Sequence, residues 1–370
     1  MSEDGLSLSW LLTKEALEHA QEAAYEKAAQ VLRERCGRGP TAIRPLGIAA
    51  GSQLVTFYAR KVPELCRLCS APTDVAWTAL VFFQRFYAFA SPMEFDPCVM
   101  MYTSVHLACK IEELREITLD KLLEESGFSD DVAMKVKITD LELELLETIG
   151  FKLLVEPKPA DALRLLAEEG ARSVLNLSSI ASPEAAEELL ARAESIVFGL
   201  CTQSNALLIY PASLIFAAAW AAALDESSKG EQGTQTGKSP SAAVLAMLSN
   251  LKKKVGTTEI SRIWKDLQHA IDSSIHRVEP ANAAMQETAK TARHCQRAFG
   301  ILHEERKQRS EAHRKERKRR RHDGLMPGAR SESLEELRRK AKVLQGCQDE
   351  RESQEDFVIH GPRDMELTDE

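Results

Sequence analysis

Two segments of this chain are apolar almost all round, and each opens on a proline: PCVMMYTSVHLACKIEE at 97–113 and PASLIFAAAWAAALDES at 211–227. A helix with apolar residues on every face must be surrounded by other elements, because apolar surface left in water costs about 25 cal/mol per Å². Two such helices therefore predict two bundles, each built around a central helix. Elsewhere Ala, Leu, Glu and Lys dominate, and few β-branched or aromatic residues alternate with polar ones. The expected fold class is all-α.

The organisation follows from periodicity and punctuation. Trp10 leads a first helix in which Thr13 is a good N-cap, Glu15 suits the positive end of the dipole and Leu12 can staple onto Leu17. Leu17, Ala20, Ala24, Ala28 and Val31 form its apolar stripe, and GRGP at 37–40 ends it. Residues 1–50 are thus an N-terminal helix and linker. Five helices follow at about 51–69, 73–89, 97–113, 118–126 and 130–149, making a first set over 51–156. Asp96 caps the third of these, with Pro97 at its first position.

After VEPKP at 155–159 the rhythm restarts, with helices at about 159–169, 183–208, 211–225, 240–254 and 257–277 forming a second set over 157–279. The Gly- and Ser-rich stretch at 226–240 reads as a loop. Laying Pro97 on Pro211 makes each apolar helix the third of five, and Lys110 then falls on Leu224. The packing requirement is shared by both sets, whereas the lysine belongs only to the first. A long helix from about Ala281 carries into a basic run, giving a segment over 280–322. Residues 323–370 are expected to be a mostly disordered tail, with a short helix started by the capping box at Ser333.

Charge and cysteine content narrow the function. The 370-residue chain carries a net charge of −8, yet residues 306–321 hold ten Lys or Arg against two Glu. Residues 1–305 carry 31 basic and 41 acidic side chains, a net of −10, so this body should repel nucleic acid. Of the eight cysteines only Cys66 and Cys69 form a CxxC; no second pair completes a zinc site, and core thiols in a reducing compartment are expected. The start of the chain lacks the pattern of a secretory signal. The segment 206–224 has the length of a membrane span, but Pro211 divides it, so no membrane role is expected. The sequence shows no Gly-rich phosphate loop, no HExxH and no glycine-flanked serine nucleophile, so neither a catalytic residue, a metal nor a cofactor is expected.

Lys110, Glu112 and Glu113 close the first apolar helix, and two readings stand for them. A cation near a helix C-terminus gains roughly 0.3–1 kcal/mol from the dipole, which would be reason enough for Lys110. Alternatively the charges are held out for a partner.

FFQRFYAFASPMEFDPCVMMYTSVHLACKIEE at 82–113 resembles the cyclin box, in which a helix ending in Lys-x-Glu-Glu follows an Arg-Phe-bearing helix and a short loop. DLELELLETIGFKL at 140–153 looks like the fifth helix of that box, with its Glu and closing Phe-x-Leu. The resemblance covers roughly residues 10 to 300 and is most similar to H-type members of the cyclin family. It implies two tandem five-helix boxes that bind and activate a cyclin-dependent protein kinase. The first box would press on the kinase's regulatory helix. It further implies that Lys110 and Glu142 hydrogen-bond the kinase backbone, with Leu107, Ile111, Leu146, Phe151 and Leu153 as the apolar seat around them. Implied partners are a RING-bearing assembly subunit and TFIIH, with the kinase acting in the cell cycle and RNA polymerase II transcription. The first helix, GSQLVTFYARKVPELCRLC, lacks the Met-Arg-x-x-Leu…Trp set of cyclins that dock substrates by a hydrophobic patch. Docking through that patch is not expected.

RKQRSEAHRKERKRRRH at 306–322 is denser in cations than helix solubility requires. Arg317, Lys318, Arg319, Arg320 and Arg321 are therefore nuclear-import candidates, and the expected location is the nucleus. Two alternatives remain. Another transcription-type cyclin, such as a C-type, fits less well with the Trp10-led helix and the long C-terminal extension. A TFIIB-like DNA-binding factor, also built from paired cyclin-type repeats, would need a basic body and an N-terminal zinc ribbon.

Overall fold

A computed structural model describes residues 10–35, 43–128, 131–173, 183–230, 244, 257–275 and 282–322. Among them are α1 (Lys14–Arg35), α2 (Ile48–Leu68), α3 (Thr73–Tyr87), α4 (Pro97–Ile111), α5 (Leu119–Glu125) and α6 (Val132–Thr148). There follow α7 (Pro159–Ser173), α8 (Pro183–Gln203), α9 (Ala206–Ile209), α10 (Ala212–Gly230), α11 (Thr257–Ile275) and α12 (Asn282–His322). The described residues contain no strand, and the all-α expectation holds. GRGP at 37–40, the capping box at Ser333 and the tail lie outside the described residues. So does the helix expected at 240–254, apart from Val244, which is helical and buried.

The two apolar helices occupy the centres they were expected to occupy. α4 packs against α2, α3, α5 and α6, and α10 packs against α7, α8, α9 and α11. Asp96 accepts a hydrogen bond from the Cys98 N–H at 2.8 Å, with Pro97 as the first helical residue. Pro211 behaves differently. Its carbonyl accepts from the N–H groups of Leu214 and Ile215, so it stands just ahead of α10 as the capping residue. Counted from the caps, Lys110 corresponds to Asp225 and not to Leu224, so both helices carry a charge at this position.

Residues Leu214–Ala221 of α10 are buried, with Ala217, Ala218 and Ala221 fully enclosed and Ala222 only half-buried. Small side chains there allow the neighbouring helices a close approach. Ala221→Phe should therefore overpack the bundle and destabilise by about 1–3 kcal/mol, read as a lowered thermal midpoint. A melt superimposable on wild type would show that the helix has room to spare. α10 also runs to Gly230, five residues beyond the expected end at 225.

A continuous helix expected over 183–208 is broken after Gln203. The cause is tertiary. The Gln84 side-chain amide, on α3, donates to the carbonyls of Cys201 and Ser204, and the Ser204 hydroxyl turns back to the Leu200 carbonyl at 2.7 Å. Backbone groups that would have continued the helix are thus committed elsewhere. Trp77 of the same α3 is fully buried, with ring centroids of Phe216 and Phe198 at 5.1 and 6.1 Å. One core therefore runs through both five-helix sets.

At the N-terminus, Thr13 Oγ1 accepts from the Ala16 N–H at 3.2 Å, as expected, and Leu12 packs against the small cluster of Leu17, Ala88 and Leu208. The buried stripe is rotated from the expected one, to Leu17, Tyr25, Ala28, Ala29 and Leu32, while Ala20, Ala24 and Val31 flank it. Tyr25 explains the rotation. Its ring fills the space over Gly51 of α2, where a Cβ would lie 2.1 Å from the phenol oxygen. Trp10, ahead of the helix, stacks under the Arg85 guanidinium with Cζ at 4.9 Å from a ring centroid. Towards the other end, the Gln296 side chain donates to the Pro92 carbonyl at 2.8 Å.

Cys66, Cys69 and Cys109 are buried free thiols, and burial raises Cys69 and Cys109 to about 11, which keeps them protonated and unreactive. No described helix is long and apolar enough to cross a membrane.

Candidate partner-binding site

Three charges close α4, and the structure gives each a different task. The helix ends because Glu113 takes the left-handed conformation (φ 57°). The Leu114 N–H then reaches back to the Cys109 carbonyl at 2.8 Å, satisfying an acceptor the helix would otherwise leave open. Glu113 is exposed and serves the turn.

Glu112 points inward. Its Oε1 accepts from the Thr78 hydroxyl at 2.6 Å and from the Lys158 ammonium, which also donates to Thr78 Oγ1 at 2.6 Å. The side chains of Lys158 and Glu112 are only 10% and 23% exposed. Thr78 lies on α3, Glu112 closes α4 and the Lys158 carbonyl accepts from the Ala162 N–H at the start of α7. This triad ties the first helix set to the beginning of the second. The sequence signal, a lysine between two prolines in VEPKP, carries no hint of a partner 80 residues away.

Lys110 points outward. Its Nζ lies 2.7 and 2.8 Å from the two carboxylate oxygens of Glu142 on α6, with side-chain exposures of 48% and 19%. An open ion pair of this kind contributes only about 0–1 kcal/mol to stability. What it does provide is a fixed and half-exposed lysine, with a donor to spare, beside a carboxylate that it orients. His106, one turn earlier, is half-buried, and burial followed by the Lys110 charge lowers its pKa, so it adds no competing cation at neutral pH.

The apolar seat is brought together only in part. Ile111, next to Lys110, and Leu146, one turn after Glu142, are half-buried against the core, as is Leu153, and Phe151 is 59% exposed. Leu107 is a correction: at 3% exposure it belongs to the core beneath the site and offers no surface, because α4 turns that face toward its neighbours. Leu143 and Leu154, exposed by 57% and 79%, were missed. A signal existed, since DLELELLETIG has leucines on more faces than α6 can bury; Met134, Ile138 and Leu145 already fill its inner face. Phe151 also sits at φ 56°, directly after Gly150 at φ 64°. A left-handed conformation costs a bulky residue about 1–2 kcal/mol, here borne by an aromatic ring that remains in water. Exposed apolar side chains on and just after the helix that carries Glu142 are the composition of a contact surface.

The basic run was expected to act separately. The backbone of residues 317–321 continues α12, while the side chains of Arg317, Lys318, Arg319, Arg320 and Arg321 lie outside the described residues.

Residues 62–154 match the family described as Cyclin, N-terminal domain. The chain is 36% identical over 110 residues to Cyclin CCL1 of Saccharomyces cerevisiae, covering 30% of this chain and 26% of that protein. It is 26% identical over 230 residues to Cyclin-H1-1 of Arabidopsis thaliana, covering 56% of this chain and 63% of the relative. The chain therefore matches less than two thirds of the length of either relative. Among solved structures, the CAK complex from Chaetomium thermophilum bound to ATP-gamma-S contains a chain that superposes with a TM-score of 0.64 at 20% identity. That superposition covers 84% of this chain and 96% of the other, and it establishes the fold.

Proposed function

We propose that this chain is an H-type regulatory subunit of the cyclin family that binds and activates a cyclin-dependent protein kinase, a reading supported by the match of residues 62–154 to the cyclin N-terminal domain. The observation that carries this reading is the Lys110–Glu142 pair, fixed at the end of a buried helix, with Leu143 exposed on the helix that carries Glu142 and Phe151 exposed just past its end. Lys110 and Glu142 would satisfy backbone groups of the kinase, and Ile111, Leu146, Phe151 and Leu153 would cover them from water. Leu107 supports the seat from below. The two helix sets, 51–156 and 157–279, are the two boxes in this reading.

Activation then needs no chemistry from this chain, which we read as non-catalytic. A subunit that contacts only the working conformation of a kinase shifts its population by the difference in affinity for the two states. Moving an equilibrium from 1:99 to 99:1 takes about 5.5 kcal/mol of such difference. A charge-assisted contact and an apolar seat on one rigid surface are suited to supply it. The kinase-activating complex, its RING-bearing assembly subunit and TFIIH are the proposed setting, with roles in cell-cycle control and RNA polymerase II transcription. The net charge of −10 over residues 1–305 speaks against a TFIIB-like DNA-binding role.

Affinity purification from native extract followed by mass spectrometry tests the reading. A cyclin-dependent kinase should be recovered in stoichiometric amount; recovery of no protein kinase would overturn it. We propose a nuclear location on the density of the basic run. Replacing Arg317, Lys318, Arg319, Arg320 and Arg321 together by Ala should leave kinase recovery unchanged and reduce nuclear accumulation of the tagged chain. Unaltered fluorescence in the nucleus would remove the import assignment.

A further inference from the structure

We propose that Arg85 is a second docking point on the same kinase, and that it receives a carboxylate side chain from it. The proposal rests on the kinase-binding reading and extends it to a residue outside the Lys110 site. Arg85 lies in the last turn of α3, half-buried, with its guanidinium face covered by Trp10 at 4.9 Å. One edge is engaged weakly, Nη1 donating to the Lys152 carbonyl at 3.4 Å. Among the described residues no carboxylate pairs with it. Burial lowers its pKa to about 10, which still leaves it fully charged at neutral pH. Taking a guanidinium out of water without a counter-charge is unfavourable, so a fold that keeps it so is poised to gain when a partner supplies one.

Two further observations say what that partner is. Lys152 Nζ lies 5.7 Å from the same indole, so two cations bracket Trp10 on a body that is otherwise acidic. Arg85, the closer of the two, calls for an anion. A planar guanidinium with one face stacked presents its remaining edge as a fork, the geometry that a carboxylate meets with two parallel hydrogen bonds. Phe89, 45% exposed, stands edge-on to Trp10 at 6.3 Å and forms an apolar rim that would exclude water from such a pair. Lys152, whose carbonyl accepts from Arg85, directly follows Phe151, the exposed aromatic of the proposed apolar seat, which ties this second point to the same binding segment.

The test compares wild type, Arg85→Met and Arg85→Lys, each as the full chain, for affinity toward the kinase that co-purifies with it and for thermal stability alone. Arg85→Met keeps the stem's packing and removes the charge. It should weaken kinase binding at least tenfold, flatten the dependence of affinity on salt, and melt no lower than wild type. Arg85→Lys should recover only part of the loss, because a point charge cannot reproduce the fork. Wild-type affinity in Arg85→Met would overturn the proposal while leaving the Lys110 site standing. A clear drop in its melting temperature would also overturn it, since the cation would then be paired within this chain. If wild type binds no kinase, the underlying reading fails, and that outcome is distinct from both.

Discussion

Lys110→Ala is expected to separate binding from stability. The isolated chain should melt almost as wild type, because an open ion pair at a helix end is worth under about 1 kcal/mol. Kinase affinity should fall by about thirty-fold or more, since truncating one member of a charge-assisted, desolvated contact costs roughly 2–5 kcal/mol of binding. The loss has two sources: kinase carbonyls left without a donor, and Glu142 left in the interface without its counter-charge. Glu142→Ala should behave alike. The double variant should lose less than the sum of the two, because the first removal already abolishes what the second would have broken. Titration of each variant against the purified kinase, with a melt of each chain alone, reads both quantities. A Lys110→Ala chain that binds and activates its kinase at wild-type concentrations would return this lysine to a solvated helix end.

The opposite split is expected at the Lys158–Glu112 pair. Lys158→Ala should destabilise the folded chain by about 3–5 kcal/mol, because it removes a cation that is itself enclosed and leaves Glu112 and Thr78 without the donor they share. The two pairs thus form an internal control. Both are lysine–glutamate contacts at the end of α4, yet Lys158 is 10% exposed and Lys110 is 48%. Exposure decides which one the fold depends on. Replacing both partners, Lys158→Met with Glu112→Leu, should recover most of the loss, since no uncompensated charge then remains in the interior. Urea unfolding of the three variants measures this. A midpoint unchanged in Lys158→Ala would show that Glu112 finds water or another donor, and that the junction of the two helix sets does not rely on the triad.

Much of the architecture was legible because its causes are local. Asp96-Pro97 starts a helix whatever lies around it, since the carboxylate serves a free N–H and the proline has none to lose. Thr13 acts in the same way for α1. The burial of α4 and α10 also follows from composition alone, because a helix with no polar face has no other stable place. Where a third element intervened, the reading failed. The break after Gln203 depends on Gln84, more than a hundred residues earlier. The face on which α1 is buried depends on the hollow over Gly51. Leu107 came with the family resemblance, and a shared motif does not tell which side chains the neighbouring helices bury.

The sequence by itself determined that the chain is helical, that it has two central apolar helices, and that charges gather at the end of the first. Those features follow from the spacing of residue types along one strand of chain. Only the tertiary structure decided what the charges do. Lys110, Glu112 and Glu113 lie within four consecutive residues, but successive positions on a helix are about 100° apart, so neighbouring helices decide their environments. α6 brings Glu142 to the first, while α3 and the segment before α7 bring Thr78 and Lys158 to the second. The left-handed end of the helix takes the third.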